Sequence, residues 1–146
     1  MNTLTVVAIA LGGVGCDDDG GSGDGQACGD PADTDATPVD YVADVEPILL
    51  SNCTCHLAPI DGSDMEAPFL TLNPDTGLAQ LVDVPSEESP LVRVAPGCRD
   101  DSYLWHKLSG THLDVEGSGT VMPPTGALDP ADVEIVGRWI SAGAPG

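Results

Sequence analysis

Cys53-Thr54-Cys55-His56 places two thiols and an imidazole within four residues. A thiol directly before an imidazole has a specific use. The thiol can form a thioether to a vinyl group while the adjacent ring coordinates iron. The stretch is one residue short of Cys-x-x-Cys-His, the spacing by which a chain attaches haem. An iron held by His56 needs a second axial ligand from its opposite face, usually from a distant loop. Met122, in Gly119-Thr120-Val121-Met122-Pro123-Pro124, is the candidate. A Met in such a loop has no amphipathic face to pack on, and the prolines after it restrict the backbone. Thioether sulfur suits a haem of high potential.

Other residues compete for these roles. His106 follows Trp105 in a helical pattern and His112 lies in a Gly-flanked loop; both read as packing residues first and as ligands second. Met65, close to the attachment motif, is a weaker rival to Met122. Arg93, Arg99 and Arg138 are three of the four basic residues. Any of them could pair bidentately with a haem propionate, although ordinary surface pairing is the simpler expectation. A non-haem alternative gathers Cys53, Cys55, His56 and Cys98 around zinc or copper, but paired zinc thiolates usually stand two to four residues apart. No Ser-His-Asp order or distinct carboxylate pair points to hydrolysis. With His and Met both bound, the iron has no open position, so an electron carrier is expected rather than an enzyme.

Positioning such a site requires folded elements, and the chain of 146 residues has room for one domain. Only 3% of residues are aromatic, while 18 are Gly and 13 are Pro. Leu4 to Val14 is apolar and too short to span a bilayer, and it ends at Gly15-Cys16 before Asp17-Asp18-Asp19. This resembles a bacterial lipoprotein signal in residues 1–15, with Cys16 as the lipid-modified N-terminus. An uncleaved segment and cleaved soluble export are the alternatives. All three place the mature chain outside the cytoplasm, where disulfides persist. Residues 16–40 are a Gly- and Asp-rich linker with almost nothing to bury, expected to be a disordered acidic tether that contains Cys28.

Residues 41–146 form the expected domain, mostly α. Asp44 as cap and Pro47 in the first turn predict a short helix reaching Leu50. Residues 57–69 read as irregular and residues 69–72 as briefly extended. A helix is expected from Asn73-Pro74 through Val82, extended chain from Val84 to Gly97, and a helix over residues 100–108. Loop follows over residues 109–127. The clearest helix starts with Asp129 as cap and Pro130 first, buries Val133, Val136 and Ile140, and ends at Gly143.

The ordered set of short motifs resembles a class I c-type cytochrome domain. The matching pieces are Val45-Glu46-Pro47-Ile48-Leu49, Cys55-His56, Val94-Ala95-Pro96-Gly97, Ser102-Tyr103-Leu104, Met122-Pro123-Pro124 and Arg138-Trp139-Ile140-Ser141-Ala142-Gly143-Ala144. The resemblance covers roughly residues 41 to 145. It implies one haem c wedged between the N- and C-terminal helices, His56 as proximal and Met122 as distal ligand, and Trp139 near the haem or the helix crossing. In the family pattern two residues separate the thiols, so each meets its own vinyl. Here Thr54 alone separates them. The expectation is a Cys53–Cys98 disulfide with Cys55 as the single thioether. Closing that loop of about 45 residues would stabilise the domain by roughly 3 to 4 kcal/mol. Two alternatives remain open: Cys98 reaches the second vinyl, or Cys53 does so through a distorted backbone.

The expected function is one-electron transfer in the bacterial cell envelope, at the periplasmic face or as an outer-membrane lipoprotein. The formal net charge of −20 argues against nucleic acid and against electrostatic attraction to anionic membrane surfaces. It favours a redox partner with a basic docking surface, while lipid on Cys16 would supply the membrane anchor. The alternative is a Cys/His metal-binding or disulfide-stapled structural lipoprotein domain without haem.

Overall fold

The computed structural model describes residues 37–57 and 69–146. The signal segment, Cys16, Cys28, Met65 and the tether, except for residues 37–40, lie outside the described residues. Among those described, every regular element is helical and no strand forms.

The chain enters through a π-helical turn, Tyr41–Val45, which runs into α1, Glu46–Asn52. The cap lies earlier than Asp44. The Asp40 carboxylate accepts from Ala43 N–H at 2.8 Å, and Asp44 reaches back to Asp40 N–H at 2.8 Å. This reciprocal pair acts as a capping box. Pro47 has no N–H for the Ala43 carbonyl, and Glu46 N–H instead bonds Tyr41, five residues back. The wide turn is a consequence of that missing donor.

A 3₁₀ turn, Thr54–His56, follows α1 directly. The chain then passes residues 69–72, where Leu72 N–H bonds the His56 carbonyl at 2.8 Å. A turn on Asn73 leads to α2, Gly77–Leu81, shorter than the sequence pattern suggests. Residues 82–102 double back on themselves through isolated bridges, Val82 with Val94 and Pro85 with Val92 among them. Arg93 N–H bonds Val84 within this loop, and Tyr103 N–H bonds Val92, docking the loop against the following helix.

The next helix, α3, spans Tyr103–Ser109 and starts three residues later than expected. Asp100 and Asp101 remain in a turn. The Ser102 hydroxyl does not cap the helix; it donates to the Cys98 carbonyl at 2.6 Å and accepts from Ala95 N–H. Gly110 closes α3, and a 3₁₀ turn, His112–Val115, breaks the expected loop. The last helix, α4, runs Pro130–Ser141 as the sequence indicates, with Asp129 accepting from Ala131 N–H.

The core joins the two ends of the domain. Trp139 and Tyr41 stack at 5.4 Å between centroids, tilted by 42°. Val45, Leu49, Val136 and Ile140 close around them, each at most 1% exposed. The indole N–H donates to the Pro145 carbonyl at 2.8 Å, tying the C-terminal residues over the same seam.

Candidate functional site

A cleft of about 600 Å³, its open mouth included, is lined by none of these seam residues. Cys53 and His56 enter it from the turn after α1. Phe69, Leu70 and Leu72 come from the extended segment, and Leu104, Lys107 and Leu108 from α3. Met122 reaches it from the Pro-rich loop, while Glu87 and Glu88 come from the residue 82–102 loop. The wall is largely apolar, as a planar hydrophobic ligand would require.

No residue of α4 lines the cleft. A group in it would therefore not sit between the N- and C-terminal helices, as the resemblance implies. Trp139 belongs to the helix crossing alone.

His56 is 7% exposed, and its Nδ1 is buried with no hydrogen-bond partner. Burial lowers its pKa from the ordinary imidazole value, against the opposing effect of a backbone hydrogen bond at Leu70. The ring is therefore neutral near pH 7 and retains a buried lone pair, the form in which imidazole ligates a metal. Phe69 packs edge-on to it at 6.0 Å between centroids. Orphaned buried nitrogens are rare because they are costly, and an iron ligand is one physical reason to keep one.

Met122 lines the same cleft and is half-buried, its N–H bonded to the Lys107 carbonyl at 3.0 Å. Of the expected ligands, His56 and Met122 thus meet in one cavity.

The thiols are arranged differently from the sequence expectation. Neither Cys53 nor Cys55 takes part in a disulfide, whereas Cys98 does. The Cys53–Cys98 bond is not formed. Cys98 instead lies in the Ala95–Cys98 turn, whose Gly97 N–H bonds Ile140 in α4, and its disulfide partner lies outside the described residues. Cys53 lines the cleft, while Cys55 is exposed and forms no part of its wall. Turn geometry explains this: at three residues per turn, positions three apart lie on one side. Cys53 therefore shares a side with His56, and Cys55 points elsewhere. Burial pushes the Cys53 thiol up to about 11, with Cys55 beside it adding to the rise.

With Cys98 committed to a disulfide, the four-residue zinc or copper set is not assembled. Among the described residues no three His, Cys, Asp or Glu side chains converge as a metal site. The remaining histidines are structural. His106 Nε2–H donates to the Asp100 carbonyl at 2.9 Å, and Nδ1 shares a hydrogen bond with Thr111 at 2.7 Å. His112 Nε2–H donates to Gly119 at 3.2 Å; its Nδ1 is also buried without a partner, but the ring does not line the cleft, so the orphaned nitrogen points to a ligand only at His56, where it coincides with the cavity.

Of the arginines, only Arg93 borders the cleft. It is 8% exposed and donates to the Gln80 carbonyl at 2.8 Å and the Phe69 carbonyl at 2.7 Å. Its role is to clamp the wall. Arg99 pairs with Glu134 at 3.2 Å and lies over Trp105. The residue missed in the sequence is Lys107, buried in α3 and bonded to the loop ahead of Met122.

No helix among the described residues is long and apolar enough to cross a membrane. Comparison with protein-family models, curated proteins and solved structures finds no match to this chain.

Proposed function

We propose that the domain is an electron carrier built to hold one c-type haem, with His56 and Met122 as axial ligands and Cys53 as the attachment thiol. The supporting observation is the meeting of three groups in one apolar cleft: a buried imidazole nitrogen without a partner, a thioether and a thiol. When bound, the haem would supply an iron that changes oxidation state by one electron. The chain's own residues do the rest. His56 offers a neutral ring held at the wall by Leu70 and Phe69. Leu70, Leu72, Leu104 and Leu108 keep water from the buried face. Met122, on the wall of the same cleft, would supply a soft, uncharged thioether that favours the reduced metal.

Cys53 would hold the group covalently: its S–H could add across a vinyl double bond, sulfur to one carbon and hydrogen to the other, with no oxidant consumed. Cys55, exposed and outside the cleft wall, would not reach the second vinyl. The acidic surface would steer a basic redox partner, with association that weakens as salt rises. Lipid on Cys16 would hold the domain in the bacterial envelope.

The experiment is maturation of the chain with a haem-attachment system, followed by visible and alkaline pyridine spectra. A haem retained after denaturation, with the red-shifted spectrum of one intact vinyl, is the expected result. Cys53→Ala should abolish covalent retention and Cys55→Ala should preserve it. A chain that takes up no haem refutes the reading. A second reading, a disulfide-stapled structural module, is favoured by the Cys98 disulfide. It gives no use to the unpartnered His56 nitrogen or to the Met122 side chain that lines the same cleft.

A further inference from the structure

The loop that presents Met122 is gripped from the cleft wall by one side chain. Lys107 is 6% exposed, and its ammonium donates to the carbonyls of Ser118 at 2.8 Å and Thr120 at 3.0 Å. It also pairs with Glu88 at 3.0 Å. Three donors thus meet three acceptors, and the charge is satisfied. The backbone of the same residue completes the grip, since its carbonyl accepts the Met122 N–H at 3.0 Å. Ser118 has other holds, from the Tyr103 hydroxyl at 3.0 Å and through its own N–H to the Glu88 carbonyl at 3.0 Å. Among the described residues, Lys107 alone spans both Thr120 and Met122.

The loop is shaped to this contact. Gly119 has φ +75°, a left-handed backbone that strains any residue with a side chain. A Cβ there would also lie 3.0 Å from Lys107 Nζ and 3.0 Å from Glu88 Oε1. The conformation therefore favours glycine where the chain crosses the ion pair, and a side chain there would also displace the two charged tips by a few tenths of an ångström. Stability alone is a weak reason to bury such a pair, because well-packed apolar replacements are often neutral or better.

We propose that Lys107 is a positioning residue for the distal ligand: it fixes residues 118–122 so that the Met122 sulfur is held facing His56 rather than free to swing into solvent. The proposal rests on the haem reading of the cleft. It goes beyond that reading by assigning control of the sulfur ligand to a cation that need not touch the haem.

The test is a double-mutant cycle on haem-loaded protein, with Lys107→Met and Met122→Ala made singly and together. Imidazole is titrated against the ferric protein, and the absorption band of sulfur-bound ferric iron is followed. Lys107→Met is expected to raise the apparent imidazole affinity about tenfold, the equivalent of one net hydrogen bond, and to weaken that band. In the Met122→Ala background the same substitution should change neither. Wild-type behaviour of Lys107→Met, or an equal shift in both backgrounds, overturns the proposal. Glu88→Gln guards against a folding defect, because it leaves both carbonyl bonds in place and should shift imidazole affinity by less than Lys107→Met. An equal or larger shift means that charge, not the grip, is what matters, and also overturns it. If wild-type protein binds no haem, the reading of the cleft fails separately. Amide exchange at Met122 in the haem-free chain then decides the grip: faster exchange in Lys107→Met supports it, and unchanged protection refutes it.

Discussion

Trp139→Phe should damage the fold and spare the cleft. The indole is completely buried, its N–H donates to Pro145 at 2.8 Å, and its ring lies 5.4 Å from Tyr41. Pro145 is exposed, so water can replace the donor and the lost bond costs about 0.5–1.5 kcal/mol. The smaller ring leaves a gap beside Tyr41 and Val45, worth about 1–2 kcal/mol more after partial collapse. The sum, about 1.5–3.5 kcal/mol, corresponds to a melting temperature lower by roughly 6–28 °C for a domain of this size. Far-ultraviolet circular dichroism on heating measures it. Because no α4 residue lines the cleft, the visible spectrum and potential of the folded, haem-loaded variant should match wild type. A shifted spectrum at unchanged stability would refute the reasoning on both counts, since it would put Trp139 against the cofactor and not at the helix crossing.

Further outcomes are open to measurement. Arg93→Lys cannot hold both Phe69 and Gln80 with one ammonium, so it should cost about 1–3 kcal/mol in urea unfolding and lower haem retention; equal stability would show the clamp to be idle. Burial, with Glu46 adding, pushes the Tyr41 phenol up to about 12. The folded state favours the neutral ring, so its contribution is fully present below pH 10 and is lost as pH rises toward 12, with a slope of at most about 1.4 kcal/mol per pH unit. Tyr41→Phe should remove that slope from unfolding measured between these values, and an unchanged slope would assign it to another group. In haem-free protein denatured without reductant, iodoacetamide should label Cys53 and Cys55 but not Cys98, and labelling of Cys98 would disprove its disulfide.

How far the fold could be read depended on whether local chemistry had competition. Asp129-Pro130 and the spacing of Val133, Val136 and Ile140 fix α4 because nothing nearby contests them. The start of α3 was obscured because Asp100-Asp101 looks like an acidic first turn. Tertiary demand overrides it, since the Ser102 hydroxyl is committed to Ala95 and Cys98. Pro47 marked the first turn of α1 correctly, but the chain coils earlier through a π turn that sequence periodicity does not announce. In the site, His56 and Met122 were legible from residue type and loop context. Lys107 belongs to none of the motifs that point to the site. A signal was present: it falls on the same helical side as Tyr103 and Leu104, in a chain with only four basic residues. A scarce cation on an apolar stripe warrants a search for buried acceptors.

The shortened motif looks different once its backbone is known. Counted along the sequence, Cys55-His56 is the half that matches haem attachment, and Cys53 is the displaced thiol. Counted around a 3₁₀ turn, the relation reverses. The turn is closed by His56 N–H on the Cys53 carbonyl at 2.9 Å, and Cys53 and His56 both line the cleft while Cys55 does not. Restoring the missing spacer separates the hypotheses without removing any group. Inserting one residue between Cys53 and Thr54 moves Cys53 to the position four before His56 and turns it off the shared side, while recreating Cys-x-x-Cys-His. If the turn governs attachment, the insertion should lower covalent haem retention unless the segment rewinds. Two saturated vinyls in the pyridine spectrum would mean that the cofactor, rather than the local chain, dictates the geometry of residues 53–56.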